Sequence, residues 1–119
     1  MNRELEMAKL ACRALDEKKG KDIKVIDIHE VSVIADYFVI ASASNQNQVQ
    51  AMVDNVDETL GRAGFEAKQI EGTRNSSWVL MDYGDMIVQV FDEENRLFYD
   101  LERIWRDGKV LDVNEFLEK

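Results

Sequence analysis

The chain has 119 residues, of which 45% are hydrophobic and 33% are charged. This length suits one domain of ordinary size, and the apolar fraction excludes an intrinsically disordered chain. The formal net charge of −9 opposes binding to a phosphate backbone, because such binding depends on Lys and Arg. An acidic protein that works on a nucleic-acid machine should therefore bind a basic protein of that machine, although the same charge could serve solubility alone.

The cysteine content and the hydropathy of the sequence indicate the cellular compartment in which we expect the protein. Cys12 is the single cysteine, which fits a reducing environment, and its neighbours Ala8, Ala11 and Leu15 indicate a small packing residue rather than a reactive thiol. No apolar run approaches the roughly 20 residues that a membrane helix needs. The N-terminus resembles neither a signal peptide nor a transit peptide. We therefore expect a cytoplasmic protein that does not enter a membrane.

The N-terminal third of the chain is predicted to contain one helix and two strands. Apolar residues at helical spacing predict a helix over 3–18 that ends near Gly20. A β-rich run predicts a strand over 23–28, and residues 31–35 are interpreted as connecting structure. The nearly continuous apolar run over 37–43 is typical of a strand that is covered on both faces.

The clearest helical pattern comes next. The second helix is expected to begin after a cap at Ser44 or Asn45, to extend to about Ala63 and to end at Gly64. A weaker strand is predicted over 66–71. Because a strand, a helix and a strand follow one another, this pattern predicts a right-handed crossover and parallel pairing of the two strands.

The C-terminal part is predicted to form a hairpin and further helices. Two β-rich runs over 77–82 and 86–91 flank a short link that contains a glycine, which predicts an antiparallel hairpin. A third helix is predicted after Asp92, with an apolar stripe that continues to Trp105. A capping-box pattern over 112–115 predicts a last short helix.

These elements predict one α/β domain over 1–119, with a mixed sheet of about five strands flanked by helices. Residues 1–107 would form its core, and residues 108–119 a short C-terminal helix or tail. The sequence contains no proline and shows neither an internal repeat nor a low-complexity segment. A second domain is therefore not expected.

Clustered aspartates raise an enzymatic hypothesis. Asp82 and Asp85 lie at the predicted hairpin, Asp27 and Asp36 lie near other strand ends, and such carboxylates could hold Mg²⁺ for nucleotidyl transfer. That chemistry also requires a loop that holds phosphates, whereas the candidate loop 41–45 contains no Gly, Lys or Arg. Turn chemistry is the competing interpretation of the hairpin aspartates. We assign no catalytic residue, no metal ligand and no cofactor.

Aromatic residues favour a recognition hypothesis instead. Trp78 begins a hairpin strand beside a polar loop, Tyr83 lies in the turn and Tyr99 lies on the third helix. Such residues are enriched at interfaces because they bury a large area around one polar group. Asp82 and Asp85 would suit a partner surface rich in Arg and Lys. The competing interpretation of the aromatic residues is packing in the core.

Three ordered blocks carry a family resemblance. They read DYFVIASASNQNQV, SWVLMDYGDMIVQVF and RLFYDLERIW. The chain resembles the ribosomal silencing factor family, also called the Iojap family, over roughly residues 5–105. The most specific parts are W-V-L-x-D-Y-G-D and F-Y-D-L-E-R-x-W, in the same order and at the same separation as in the family.

The resemblance implies a function without chemistry. Family members bind protein fourteen of the large ribosomal subunit on the face that meets the small subunit, and they prevent subunit joining by occupying that surface. Translation is thereby repressed when nutrients are scarce. The family is not enzymatic, its fold has a nucleotidyltransferase-like topology without a catalytic site, and its members often form homodimers.

The resemblance also implies a contact surface on the hairpin and the third helix. The implied partner-binding residues are Trp78, Leu80, Asp82, Tyr83, Asp85, Tyr99 and Glu102. Leu80 joins the set because alternate residues of a strand share one face. The chain departs from the family at Gln89, where a histidine is common. Two alternatives stay open, namely a metal-dependent nucleotidyltransferase-like enzyme and a scaffold for assembly of the large subunit.

Overall fold

The fold is a mixed sheet with two helices on one of its faces. The computed structural model describes residues 3–28, 35–72, 78–92 and 109–111. The elements are α1 (Arg3–Glu17), β1 (Lys21–Asp27), β2 (Tyr37–Ala43), α2 (Gln46–Arg62), β3 (Gln69–Glu71), β4 (Trp78–Asp82), β5 (Met86–Asp92) and β6 (Lys109–Leu111). The predicted third helix and the predicted capping box over 112–115 lie outside the described residues, as do residues 31–34 of the expected connection.

The sheet has the strand order β3-β4-β5-β2-β1-β6. The pair β2–β5 is parallel, and the other four pairs are antiparallel. The predicted α/β class with a mixed sheet is confirmed, as is the antiparallel hairpin of β4 and β5. The sixth strand, β6, was not predicted; it is three residues long and lies at an edge.

The predicted pairing of the strands on either side of α2 is wrong. β3 runs in the same direction as β2, but β4 and β5 lie between them. The parallel partner of β2 is β5, which follows β4 in the hairpin. The connection through α2 therefore takes the chain from β2 in the middle of the sheet to β3 at its edge. The hairpin of β4 and β5 then brings the chain back to the middle, beside β2.

Both helices pack against the same face of the sheet. The apolar stripe of α2 is buried as predicted, and it contacts α1 as well as strands β2, β4 and β5. Ala14 of α1 accepts a hydrogen bond of 2.8 Å at its carbonyl oxygen from the side-chain amide of Asn55 on α2. The helix-side core also contains Val39, Val79 and Val88 from three adjacent strands. Burial of this apolar area from water is the main force that holds the layers together.

The start of α2 follows the predicted capping chemistry. Asn45 is the N-cap, and its side-chain oxygen accepts a hydrogen bond of 2.8 Å from the backbone N–H of Gln48. The side chain of Gln48 in turn accepts from the N–H of Ser44 and donates to the carbonyl oxygens of Lys18 and Lys19. The same residue therefore closes the start of α2 and ties it to the end of α1.

The end of α1 differs from the prediction in one respect. Lys19, rather than Gly20, has the left-handed backbone, with a φ of 62°. Gly20 instead lies close to α2, because a Cβ there would lie 2.7 Å from the methyl carbon of Met52, the flexible end of that side chain. The α1–β1 connection therefore packs closely against α2.

Candidate partner-binding face

The face of the sheet opposite the helices brings three of the predicted contact residues together. Side chains alternate along β4, so Val79 and Met81 enter the helix-side core. The alternate residues Trp78, Leu80 and Asp82 therefore point to the opposite face. The register with β5 pairs Trp78 with Phe91, Leu80 with Gln89, and Asp82 with Ile87. We call these six residues the hairpin face: Trp78, Leu80, Asp82, Ile87, Gln89 and Phe91.

The hairpin face has a buried floor and a half-exposed border. Phe91 has an exposed fraction of 0% and Ile87 of 5%, so β5 supplies an apolar floor. Trp78 and Leu80 on β4 are half-buried and pack against that floor. Trp78, for which the sequence left both an interface role and core packing open, is therefore both a packing residue and an accessible one. Phe38 on β2 extends the half-buried apolar surface beyond β5.

Two contacts fix the indole of Trp78. Its ring stacks on Phe91, with a centroid separation of 6.2 Å and an interplanar angle of 26°. Its Nε1–H donates a hydrogen bond to Oε1 of Gln89 at 3.2 Å. Phe91 and Gln89 both belong to β5, so the hairpin itself holds Trp78 in place.

The hairpin turn uses Asp82 as a structural residue. Its carboxylate accepts a hydrogen bond of 2.7 Å from the N–H of Gly84, which has a φ of 89°. The carbonyl oxygen of Asp85 accepts from the N–H groups of Asp36 and Tyr37, which ties the turn to the start of β2. The side chain of Asp85 is exposed. Asp82 therefore performs the turn chemistry that was the alternative to metal binding, and Asp85 presents its charge to solvent.

Tyr83 lies on the other side of the sheet from Trp78. It is buried in the helix-side core with an exposed fraction of 6%, and among the described residues its hydroxyl has no hydrogen-bond partner. Burial raises the pKa of the Tyr83 phenol well above its ordinary value, and the negative charge of Asp57 on α2 adds to the shift. Tyr83 does not join the hairpin face, and its contact with a partner stays a prediction.

The remaining predicted contact residues, Tyr99 and Glu102, lie outside the described residues. Gln89, in contrast, is a residue of the hairpin face that the sequence marked only as a departure from the family. The cross-strand register places it opposite Leu80 and within reach of Trp78. Phe91 was likewise identified only as part of a strand, yet it carries the indole of Trp78.

Other reactive groups fall into structural roles. Cys12 has an exposed fraction of 0%, and burial, with a further contribution from Asp16, raises the pKa of its thiol to about 12. This confirms the interpretation of Cys12 as a packing residue, because the neutral thiol is a poor nucleophile. Within residues 3–28, 35–72, 78–92 and 109–111, no three His, Cys, Asp or Glu side chains are grouped as metal ligands. Neither described helix is both long and apolar enough to cross a membrane.

Known proteins are similar to this chain in both sequence and fold. The model of the family described as "Ribosomal silencing factor during starvation" matches residues 1–119. The ribosomal silencing factor of Bacillus subtilis is 36% identical over 106 residues, which cover 89% of this chain and 90% of that protein. A mouse protein named "Mitochondrial assembly of ribosomal large subunit protein 1" is 29% identical over 94 residues, 76% of this chain and 41% of that protein.

A solved structure supports the same relationship. A crystal structure of a protein from Chromobacterium violaceum superimposes with a TM-score of 0.84 at 33% sequence identity. The superposition covers 91% of this chain and 90% of that one. Because the family model matches the whole chain and the fold agrees, the protein belongs to the ribosomal silencing factor family.

Proposed function

We propose that the protein binds the large ribosomal subunit through protein fourteen, at the surface that meets the small subunit, and blocks subunit joining. The chain belongs to a family named for ribosomal silencing, and that name implies a ribosomal partner. The single observation that carries the proposal is the hairpin face, on which a half-buried Trp78 is held over an apolar floor. Occlusion requires affinity and position, and no covalent step.

The energetics of the hairpin face suit a protein partner. An interface of standard size buries about 800 Å² on each side, and a few central aromatic residues supply most of its binding energy. Trp78 has the properties of such an anchor, because its indole is accessible and already ordered. The exposed carboxylate of Asp85 and the net charge of −9 favour a basic protein over bare RNA.

Sedimentation with ribosomal subunits tests this proposal. The purified protein is mixed with separated large and small subunits under joining conditions and centrifuged through a sucrose gradient. We expect it to migrate with the large subunit and to reduce the fraction of joined ribosomes. If the protein stays at the top of the gradient and joining is unchanged, the proposed function is wrong.

Assembly of the large subunit is a second candidate function. It is favoured by the mouse relative, whose name assigns it to assembly of the mitochondrial large subunit. Sedimentation with assembly intermediates and with mature large subunits distinguishes the two functions. Binding to intermediates alone would favour assembly, whereas binding to mature subunits with loss of joining would favour silencing.

We further propose that the free protein is a homodimer, which analytical ultracentrifugation would detect.

Trp78→Ala is expected to weaken binding to the large subunit by about 2 kcal/mol or more, because a central aromatic anchor is lost. Affinity is measured with labelled protein and purified subunits, after thermal unfolding has shown that the variant folds. Ile70→Ala is the control, since Ile70 is 45% exposed but lies on the edge strand β3. Unchanged affinity of folded Trp78→Ala would contradict the assignment of Trp78 as the anchor.

Asp85→Lys is expected to slow association with the large subunit and to flatten its dependence on salt. Reversal of an exposed charge changes electrostatic steering more than it changes dissociation. Stopped-flow association rates at several salt concentrations measure the effect. Asp54→Lys makes the same charge change on an exposed residue of α2, on the helix side of the sheet. Equal slowing by both variants would indicate that net charge alone matters.

A further inference from the structure

Gln89 is a buried polar residue in the middle of an apolar surface. Its exposed fraction is 7%, and its cross-strand neighbours are Leu80 on β4 and Ile40 on β2. A buried amide without a hydrogen bond destabilises a fold, so a polar side chain here requires a partner. The hydrogen bond that the structure gives this side chain, within the described residues, comes from the indole of Trp78.

The chemistry of that contact fixes the orientation of the amide. An indole N–H can only donate, so the atom of Gln89 that faces it must be the carbonyl oxygen. The stack on Phe91 fixes the plane of the Trp78 ring, and the hydrogen bond at 3.2 Å fixes its rotation within that plane. The half-buried indole is thus held at two points by β5.

We propose that Gln89 is a positioning residue for partner binding, which holds the Trp78 indole in the orientation that a basic ribosomal protein recognises. The inference rests on the proposed function and adds the residue that orients the Trp78 indole before binding. Ordering a free side chain on binding costs affinity, so an anchor that is already ordered binds more tightly. Loss of the hydrogen bond should therefore weaken binding while the indole itself is still present.

Two substitutions separate positioning from packing. Gln89→Met keeps the length of the side chain but replaces the amide oxygen by a thioether, which is only a weak acceptor. Gln89→His provides an acceptor again, because a neutral imidazole has one nitrogen that accepts. On the hairpin side of the sheet, the charged groups around Gln89 in the described residues are Asp82 on the adjacent strand β4, Glu71 two strands away on β3 and Lys24 two strands away on β1. The facing residues of β2 are Phe38, Ile40 and Ser42, which do not titrate near neutral pH.

The first readout is the indole N–H signal of the free, ¹⁵N-labelled protein, assigned with a Trp78→Phe variant. We expect Gln89→Met to shift this signal and to speed its exchange with solvent. Gln89→His should restore slow exchange at pH 8 and lose it below about pH 6, where the imidazole is protonated and can no longer accept. Wild type should show no such change with pH. An indole signal that is the same in wild type and Gln89→Met would overturn the positioning role.

The second readout is affinity for purified large subunits at pH 8. We expect binding to fall about 3- to 10-fold in Gln89→Met and to recover in Gln89→His. If wild type binds and Gln89→Met binds equally well, the inference about Gln89 is wrong and the proposed function stands. If wild type itself does not bind, the proposed function fails and the inference fails with it.

Discussion

Phe91→Ala is expected to lower the free energy of unfolding by about 3–5 kcal/mol, the range for removal of a large aromatic side chain from a core. Phe91 is fully buried and is among the largest such side chains in the described residues. It belongs to the apolar cluster on the face of the sheet opposite the helices, together with Ile26 and Ile40, and its ring stacks with that of Trp78. Alanine would leave a cavity under the indole and remove a stacking interaction worth about 1 kcal/mol more.

Urea denaturation followed by circular dichroism measures this change. Ile70→Ala is the control, since Ile70 is 45% exposed and its loss should change stability by less than about 1 kcal/mol. Phe91→Leu should fall between alanine and wild type because it retains most of the apolar volume. A loss below about 1.5 kcal/mol for Phe91→Ala would show that the hairpin face collapses around the cavity, and that its floor is not rigid.

The local sequence pattern predicted helices and strands well where a single physical cause, such as the spacing of apolar residues, determines the element. The stripe of α2 repeats at helical spacing and is buried against the sheet, and Asn45 caps the helix with its own side chain. The apolar run over 37–43 became β2, an inner strand that is almost fully buried. In each case the residues that determine the structure lie close together in the sequence.

Strand order could not be predicted in the same way. The choice between β3 and β5 as the parallel partner of β2 depends on contacts between residues far apart in the chain. β3 is only three residues long and all of them are exposed, so it has little apolar area to bury in the middle of the sheet. β5 is buried along its whole length and takes the inner position. β6 was missed because three residues carry too weak a pattern.

The placement of the candidate site residues on the sheet was predicted in part, for reasons of strand geometry. Alternation correctly placed Leu80 on the face of Trp78 and Asp82. The same alternation, continued through 79, 81 and 83, explains why Tyr83 enters the helix-side core with Val79 and Met81. The contact between Trp78 and Gln89 needed the register of the hairpin, which the local pattern of either strand does not contain.

Gly72→Ala is expected to destabilise the protein by about 3 kcal/mol, and the cause is the backbone beside Trp78. Gly72 follows β3 and has a φ of 108°, a conformation that a residue with a Cβ adopts only with strain. A Cβ there would also lie 2.6 Å from the carbonyl oxygen of Trp78 and 3.1 Å from Cα of Val79. Backbone atoms cannot rotate away, so the start of β4 must move.

Two other glycines separate these causes. Gly64 has a φ of 92° but open space around its Cβ position, so Gly64→Ala should cost only the strain, about 1–2 kcal/mol. Gly61 lies within α2, where a Cβ meets no atom within 4 Å, so Gly61→Ala should raise stability by about 0.5–1 kcal/mol.

Urea denaturation of all three variants measures their free energies of unfolding and so ranks them. Equal losses of unfolding free energy for Gly72→Ala and Gly64→Ala would show that the start of β4 shifts without a measurable energetic cost. In that case Trp78 would not be held by a rigid strand. A larger loss for Gly72→Ala, accompanied by a shift of the Trp78 indole N–H signal, would show that the close approach of Gly72 to β4 helps to fix the position of the Trp78 indole.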